Sequence, residues 1–252
     1  MQRLRAVTGG ILKRVEEQTG KSIQFMRDEQ LSMLATLQIA RNGADFHVLR
    51  YRPSNEPLDY MIAFQAGFVL RLFENEPSQR FDFAPSPTAG GYVEPLLAVG
   101  QALDPADKNA LPEFAKFVAQ WALMNLRSLP IGMRIDCWIA TEYPELNELQ
   151  RASIALQQQQ NVDLLSYKLG KLTIPTPLMG AIAAYAVFAD RMTDCGTFAI
   201  PYEAAGLQGQ GRELMRLWGE LPADAENDCQ LIDTWAAKVG MSNWYTWIPY
   251  RP

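Results

Sequence analysis

The sequence has almost no histidine. Its 252 residues include one, His47. A hydrolase whose zinc is held by histidines needs at least two of them, and structural zinc usually takes four ligands. The sequence therefore excludes a working His-ligated zinc hydrolase. His47 shares a face of a predicted strand with Leu49 and Tyr51, so we expect a partly buried, hydrogen-bonded side chain.

Cysteine is scarce as well. Cys137, Cys195 and Cys229 are odd in number and far apart, and no C-x-x-C pair occurs. This spacing indicates neither a disulfide framework nor a thiolate metal site. We expect each cysteine to be a small buried apolar residue.

The sequence lacks a long apolar run and an excess of positive charge. The longest apolar stretch, 178–189, is shorter than the roughly 20 residues that cross a bilayer, so it predicts a buried core helix. The first 21 residues are charged throughout, which argues against a signal peptide. The net charge of −5 argues against nucleic-acid binding. We expect a cytoplasmic protein that binds no membrane.

The hydrophobic content of 48% and the charged content of 20% are typical of a globular protein, and we expect one domain over 1–252. Apolar residues at helical spacing predict a first helix over 3–19. The runs 32–40 and 44–51 flank Arg41-Asn42-Gly43, which predicts a β-hairpin, because both turn residues tolerate positive φ. A helix with two apolar faces follows over 59–74 and should be buried.

The rest of the chain divides into a loop and a helical part. Residues 77–95 are rich in proline and glycine, which predicts a long loop or a boundary, and a loop of this length is often a lid, a binding loop or disordered. Residues 96–252 should be nearly all helical. The predicted helices are 112–127, 131–141, 145–160, 178–191, 209–220 and 228–240. The fold class is therefore α+β and mostly helical.

The predicted buried helix contains the segment Ile62–Arg71, which is I-A-F-Q-A-G-F-V-L-R. This segment resembles the frame I-A-H-E-x-G-H-x-L-R of small intracellular zincin metallopeptidases of the IrrE/ImmA-like minigluzincin type. In zincins two histidines at i and i+4 hold zinc, and the glutamate between them activates water. Phe64 and Phe68 stand at the ligand positions, and Gln65 stands at the position of the base.

The resemblance implies a zincin-like helix, hairpin and helix over 1–76 with a degenerate metal site. Phenylalanine has no lone pair for a metal, and an amide does not take up a proton near neutral pH. We therefore expect no metal, no zinc chemistry and no cofactor. The segment 129–136 resembles the part that follows the metal helix in this family, where an acidic residue is expected near Gly132. Two phenylalanines at i and i+4 are also compatible with core packing in an unrelated helix.

Three functions fit this sequence. The first is a pseudoenzyme that binds a protein or peptide in a metallopeptidase-like groove beside an edge strand of the hairpin. The second is an enzyme without zinc that uses carboxylates in a pocket beneath the 77–95 loop. The third is a structural subunit of a larger assembly, with interface anchors in the aromatic tail. These candidate interaction residues are Trp244, Tyr245, Trp247 and Tyr250.

Overall fold

The structure is a computed structural model, and it describes residues 4–31, 34–52, 58–98 and 103–252. The predicted class, α+β and mostly helical, is confirmed. The helices are α1 (Ala6–Thr19), α2 (Leu58–Glu74), α3 (Ala89–Ala98), α4 (Pro105–Glu142), α5 (Asn147–Asp163), α6 (Gly180–Thr193), α7 (Ile200–Ala204), α8 (Gln208–Glu220) and α9 (Asp228–Val239). The strands are β1 (Ser22–Arg27), β2 (Ala35–Gln38), β3 (Phe46–Tyr51), β4 (Phe81–Pro85), β5 (Lys168–Leu169), β6 (Leu172–Thr173) and β7 (Tyr245–Pro249).

The chain divides into two compact units. The first comprises Met1–Asp82, Ile131–Ile154 and Pro249–Pro252, and the second comprises Phe83–Pro130 and Ala155–Ile248. Both units are therefore built from segments far apart in sequence. The organisation of 1–252 as a single domain stays a prediction. Within the described ranges, no helix combines the length and the apolar character that crossing a bilayer requires.

The sheet of the first unit has the strand order β1-β3-β2. Strand β2 is antiparallel to β3, with Leu37 opposite Leu49, and β1 is parallel to β3. The predicted hairpin is present, although residues 32 and 33 of its first run lie outside the described residues. Asn42 and Gly43 have φ values of 54° and 79°, as the mirror-image turn of a hairpin requires.

His47 is fully buried on β3. Its Nδ1 accepts a hydrogen bond from the Ala40 backbone N–H at 3.0 Å, and its Nε2 lies 2.9 Å from Thr19 Oγ1. An acceptor at Nδ1 requires the neutral ring with its proton on Nε2. The expected hydrogen-bonded strand histidine is therefore present, and it joins the end of α1 to the hairpin.

The last three residues of the sequence form hydrogen bonds with the hairpin turn. The Tyr250 hydroxyl donates to the Ala40 carbonyl at 2.6 Å, and its ring meets Phe73 edge-on at 5.6 Å. The N–H groups of Asn42 and Gly43 donate to the carbonyls of Arg251 and Pro252. The turn is thus held by hydrogen bonds to residues about 200 positions later in the sequence.

Residues 77–95 do not form the predicted long loop. They contain a short 3₁₀ turn at Pro77–Gln79, strand β4 and the first residues of α3. Strand β4 pairs with β7, a partner some 160 residues later that no local pattern reveals. Pro77 begins the 3₁₀ turn and Pro85 ends the strand. At both places the backbone N–H that proline lacks would have no obligatory hydrogen-bond partner, so its absence destabilises little.

The predicted helices 112–127 and 131–141 are one continuous helix, α4, which contains both Pro112 and Pro130. A proline inside a helix removes one hydrogen bond. Here the residues on both sides of Pro130, including Leu126, Leu129, Ile131 and Met133, are buried. Tertiary packing therefore outweighs the local preference for a break. The Pro130 carbonyl also accepts a hydrogen bond from the Trp218 indole at 2.9 Å.

The second unit is built around α6, the predicted core helix. Nearly all of its residues from Gly180 to Ala189 are buried. Helix α8 packs closely on α6, because a Cβ at Gly211 would lie 2.9 Å from the backbone of Ala183. Helix α9 packs in turn on α8. The three cysteines are free, and none is buried as expected, because Cys137 and Cys229 are half-buried and Cys195 is exposed.

Burial lowers the pKa of His47 below its ordinary value of 6.5, because desolvation disfavours the charged ring. A depressed pKa means that the folded state binds this proton more weakly than the unfolded state does. The contribution of His47 to the free energy of unfolding is therefore fully present above pH 6.5 and is lost as the pH falls. Because the chain has one histidine, its NMR titration needs no assignment. We expect a midpoint below that of the same protein unfolded in urea. An equal or higher midpoint would contradict this account.

Candidate functional site

Helix α2 packs against α1 and β2 in the first unit. Its buried face includes the predicted Ile62, Ala66, Val69 and Phe73. The central helix thus lies beside a small sheet, which is the arrangement that the metallopeptidase resemblance requires. The remaining face of α2 carries the substituted motif.

Phe64, Gln65 and Phe68 are half-buried on that face. The rings of Phe64 and Phe68 meet edge-on with centroids 5.4 Å apart, and the Tyr60 ring lies 5.9 Å from Phe64. Such aromatic pairs stabilise packing beyond the area they bury. The two positions expected for metal ligands therefore hold two rings in mutual contact.

The Phe64 ring lies directly against Gly132 of α4. A Cβ at Gly132 would lie 2.9 Å from Cζ of Phe64, closer than side chains normally approach. The structure therefore brings together the two places that sequence comparison singled out, the motif and the position of the missing acid. The ring occupies the space that a longer side chain at position 132 would need.

One turn further along, Gly67 contacts Ile135. A Cβ at Gly67 would lie 2.5 Å from Cγ2 of Ile135. The pairs Phe64–Gly132 and Gly67–Ile135 show that α2 contacts this part of α4 at two neighbouring points. Each helix contributes one glycine, and a side chain of the other helix packs against it in the space that a Cβ would need.

Asp136 is the buried polar residue that the sequence did not single out. Its Oδ1 accepts hydrogen bonds from the Tyr60 hydroxyl at 2.5 Å and from the Gln150 amide at 2.9 Å. Its Oδ2 has no partner. Burial raises the pKa of this carboxyl to about 7, because the charged form loses its hydration. The only local signal was one aspartate in Met133–Ile139, a stretch whose other residues except Arg134 are apolar.

A cavity of about 120 Å³ continues from Gly67 towards the end of α2. Its apolar wall is formed by Gly67, Leu70 and Ile135, and its charged rim by Arg14, Arg71, Glu74 and Glu142, with Trp138 between them. The Arg14 guanidinium carbon lies 5.8 Å from the centroid of the Trp138 ring. This mixture of an aromatic face, an apolar wall and charges suits a ligand better than it suits a core.

The aromatic tail is engaged within the chain. Trp244 and Tyr250 are buried, so neither offers surface to a partner of the folded protein. Tyr245 and Trp247 are half-buried, and both donate hydrogen bonds to Asp233 Oδ1. The interaction role expected for Trp244 and Tyr250 thus loses support, whereas that of Tyr245 and Trp247, and with it the structural-subunit hypothesis, stays a prediction.

The hypothesis of an enzyme that uses carboxylates stays a prediction for the described part of the chain. There, no group of three or more histidine, cysteine, aspartate or glutamate side chains could hold a metal ion. The segment 77–95, which was expected to cover such a pocket, is occupied by β4 and α3.

No family model, curated protein or solved structure matches the chain. The metallopeptidase resemblance therefore depends on the residues and the geometry described above.

Gly67→Ala tests the close approach of α2 and α4. The new methyl would overlap Ile135, so we expect a loss of about 1–3 kcal/mol in the free energy of unfolding, measured in urea. Gly9→Ala is the matched control, since Gly9 is exposed on α1 and nothing lies within 4 Å of its added Cβ. That change should stabilise by about 0.5–1 kcal/mol through helix propensity alone. Equal effects of both substitutions would show that α2 and α4 do not touch at Gly67.

Proposed function

We propose that this protein is a catalytically inactive metallopeptidase-like protein that acts by binding a protein or peptide. The observation that carries the proposal is the packing of Phe64 against Gly132, with Phe68 beside it. It supports a site in which apolar contact has replaced coordination. Neither ring can bind zinc, and Gln65 cannot act as a general base.

The binding part of the proposal is supported by β1. This strand is an edge of its sheet, and Phe25 and Met26 are 40% and 51% exposed. Within the described ranges, no strand pairs with its outer side. An exposed apolar edge strand is a template for another chain, and many domains bind extended peptides by adding a strand.

The backbone groups that face outwards on β1 can be identified. The Ile23 N–H donates to the Glu16 side chain at 2.8 Å and not to β3. Because alternate residues of a strand face opposite neighbours, the peptide groups of Phe25 and Arg27 also point outwards. The Phe25 N–H is thus the group that a bound peptide would use.

The hairpin itself, the edge expected from the sequence, is a poorer candidate. Ala35 and Leu37 of β2 are 0% and 7% exposed. The Arg52 N–H donates to the Leu34 carbonyl, so by alternation the peptide groups of Ala35 and Leu37 point away from β3. Their burial means that this edge is covered. The proposal therefore assigns peptide binding to β1.

Selection of peptides from a random library on the native protein tests this function. Phe25→Pro removes the outward N–H without removing a hydrogen bond to β3, and Phe25→Thr removes the ring while keeping the N–H. Selected peptides should bind the native chain, bind the threonine variant more weakly, and lose binding to the proline variant. Fluorescence anisotropy with labelled peptides measures each affinity.

Two results would count against the proposal. Either no peptide is enriched over an unrelated control protein, or the proline variant binds as well as the native chain. The inactive part is tested separately by elemental analysis after dialysis against zinc. We expect far less than one zinc ion per chain, and a stoichiometric amount would contradict it.

A further inference from the structure

The cavity beside Gly67 already has a guanidinium group at its rim. Arg14 of α1 lies over the Trp138 ring, its Nη1 is 3.4 Å from a Glu142 carboxylate oxygen, and its Nη2 is 3.9 Å from one of Glu74. Tyr143 meets Trp138 edge-on at 5.0 Å and adds a second aromatic ring. An aromatic face between two carboxylates is the environment that a guanidinium group prefers.

The two ion pairs that hold Arg14 there are weak, and the Tyr143 side chain adds a hydrogen bond to Arg14. Charge-assisted hydrogen bonds are usually about 2.7–2.9 Å long, and both of these ion-pair distances are longer. The side chains of Arg14, Glu74 and Glu142 are 45%, 42% and 49% exposed. Ion pairs exposed to this degree contribute little to stability, because water screens the charges and long side chains lose freedom. The two ion pairs therefore oppose the departure of Arg14 only weakly, and the hydrogen bond with Tyr143 is the contact that an incoming group has to replace.

The cavity has room for a second occupant. Its volume of about 120 Å³ corresponds to roughly four water molecules at about 30 Å³ each. Leu70 and Ile135 line it with methyl groups, against which the methylene stem of a long side chain can pack. The planar head would then meet Trp138 and the two carboxylates. Lysine fits less well, because its compact ammonium neither stacks nor forks between two acids.

We propose that this cavity is a binding site for the guanidinium group of an arginine, and that Arg14 is an internal occupant which the incoming arginine displaces. The ligand is an arginine side chain of a partner protein or free arginine, since both carry the same group. The site lies on α1, α2 and α4 and uses no residue of β1. It is therefore independent of strand pairing.

The test measures binding of N-acetyl-arginine amide to the native chain and to Arg14→Met, which keeps part of the aliphatic stem and removes the charge. The readout is the Trp138 indole N–H signal in NMR, assigned with Trp138→Phe. We expect the methionine variant to bind about five- to tenfold more tightly than the native chain, since a weak exposed ion pair no longer competes. Adding Glu142→Gln to that variant should abolish the gain.

Matched ligands and variants separate guanidinium recognition from other effects. N-acetyl-citrulline amide has the same shape without the charge and should not bind, and N-acetyl-lysine amide should bind more weakly. Free arginine and an arginine-containing hexapeptide are compared in the same titration, so that the two sources of the group are distinguished. Lys13→Met is the control variant, since Lys13 is a highly exposed neighbour on α1 that pairs with Glu17; it should leave every affinity unchanged.

Three outcomes would overturn the inference. The Trp138 signal does not move with the arginine ligand in folded Arg14→Met; citrulline binds as well as arginine; or Glu142→Gln has no effect. If Arg14→Met unfolds, the same titration is carried out on Arg14→Lys. Lysine keeps the charge but stacks less well on Trp138, so it should compete less with the arginine ligand than Arg14 does. Selected peptides that bind β1 regardless of Glu142 would leave the proposed function standing even where one of these three outcomes overturns the inference.

Discussion

Helices α2 and α4 approach each other through two glycines, and the candidate site depends on this contact. The Ile135 side chain packs against Gly67 and the Phe64 ring packs against Gly132, and in both places a Cβ on the glycine would take the space of that side chain. The same approach brings the Tyr60 hydroxyl to Asp136 and leaves the cavity between Leu70 and Trp138. The packing of Phe64, the burial of the Asp136 carboxyl and the cavity all occur where α2 contacts α4.

Local patterns predicted the part of the first unit that surrounds this contact. Asn42-Gly43 placed the turn of the hairpin because few residues adopt two successive positive φ values. The two apolar faces of α2 predicted its burial, and spacing at i and i+4 placed Phe64 and Phe68 on one face. The comparison with metallopeptidases directed attention to Gly132, and the structure puts this glycine under the Phe64 ring.

The features that the sequence did not predict all depend on distant partners. Strand β4 forms because β7 pairs with it, α4 continues through Pro130 because the residues around it are buried, and Tyr250 is buried against Phe73 instead of serving as an anchor. Asp136 could not be distinguished from a surface aspartate until Tyr60 and Gln150 were found beside it. A propensity or a period describes neighbours in sequence, whereas these residues are determined by neighbours in space.

The proposed function depends on positions 64, 65, 68 and 132 being those of a metal site whose ligands have been replaced. The most direct measurement is isothermal titration with zinc of a variant carrying Phe64→His, Gln65→Glu, Phe68→His and Gly132→Glu. Two imidazoles at i and i+4 with a carboxylate opposite them form a three-ligand zinc site. The account predicts that one zinc ion binds per chain, and that binding weakens when Gly132 is left unchanged. A folded variant that takes up no zinc would contradict it.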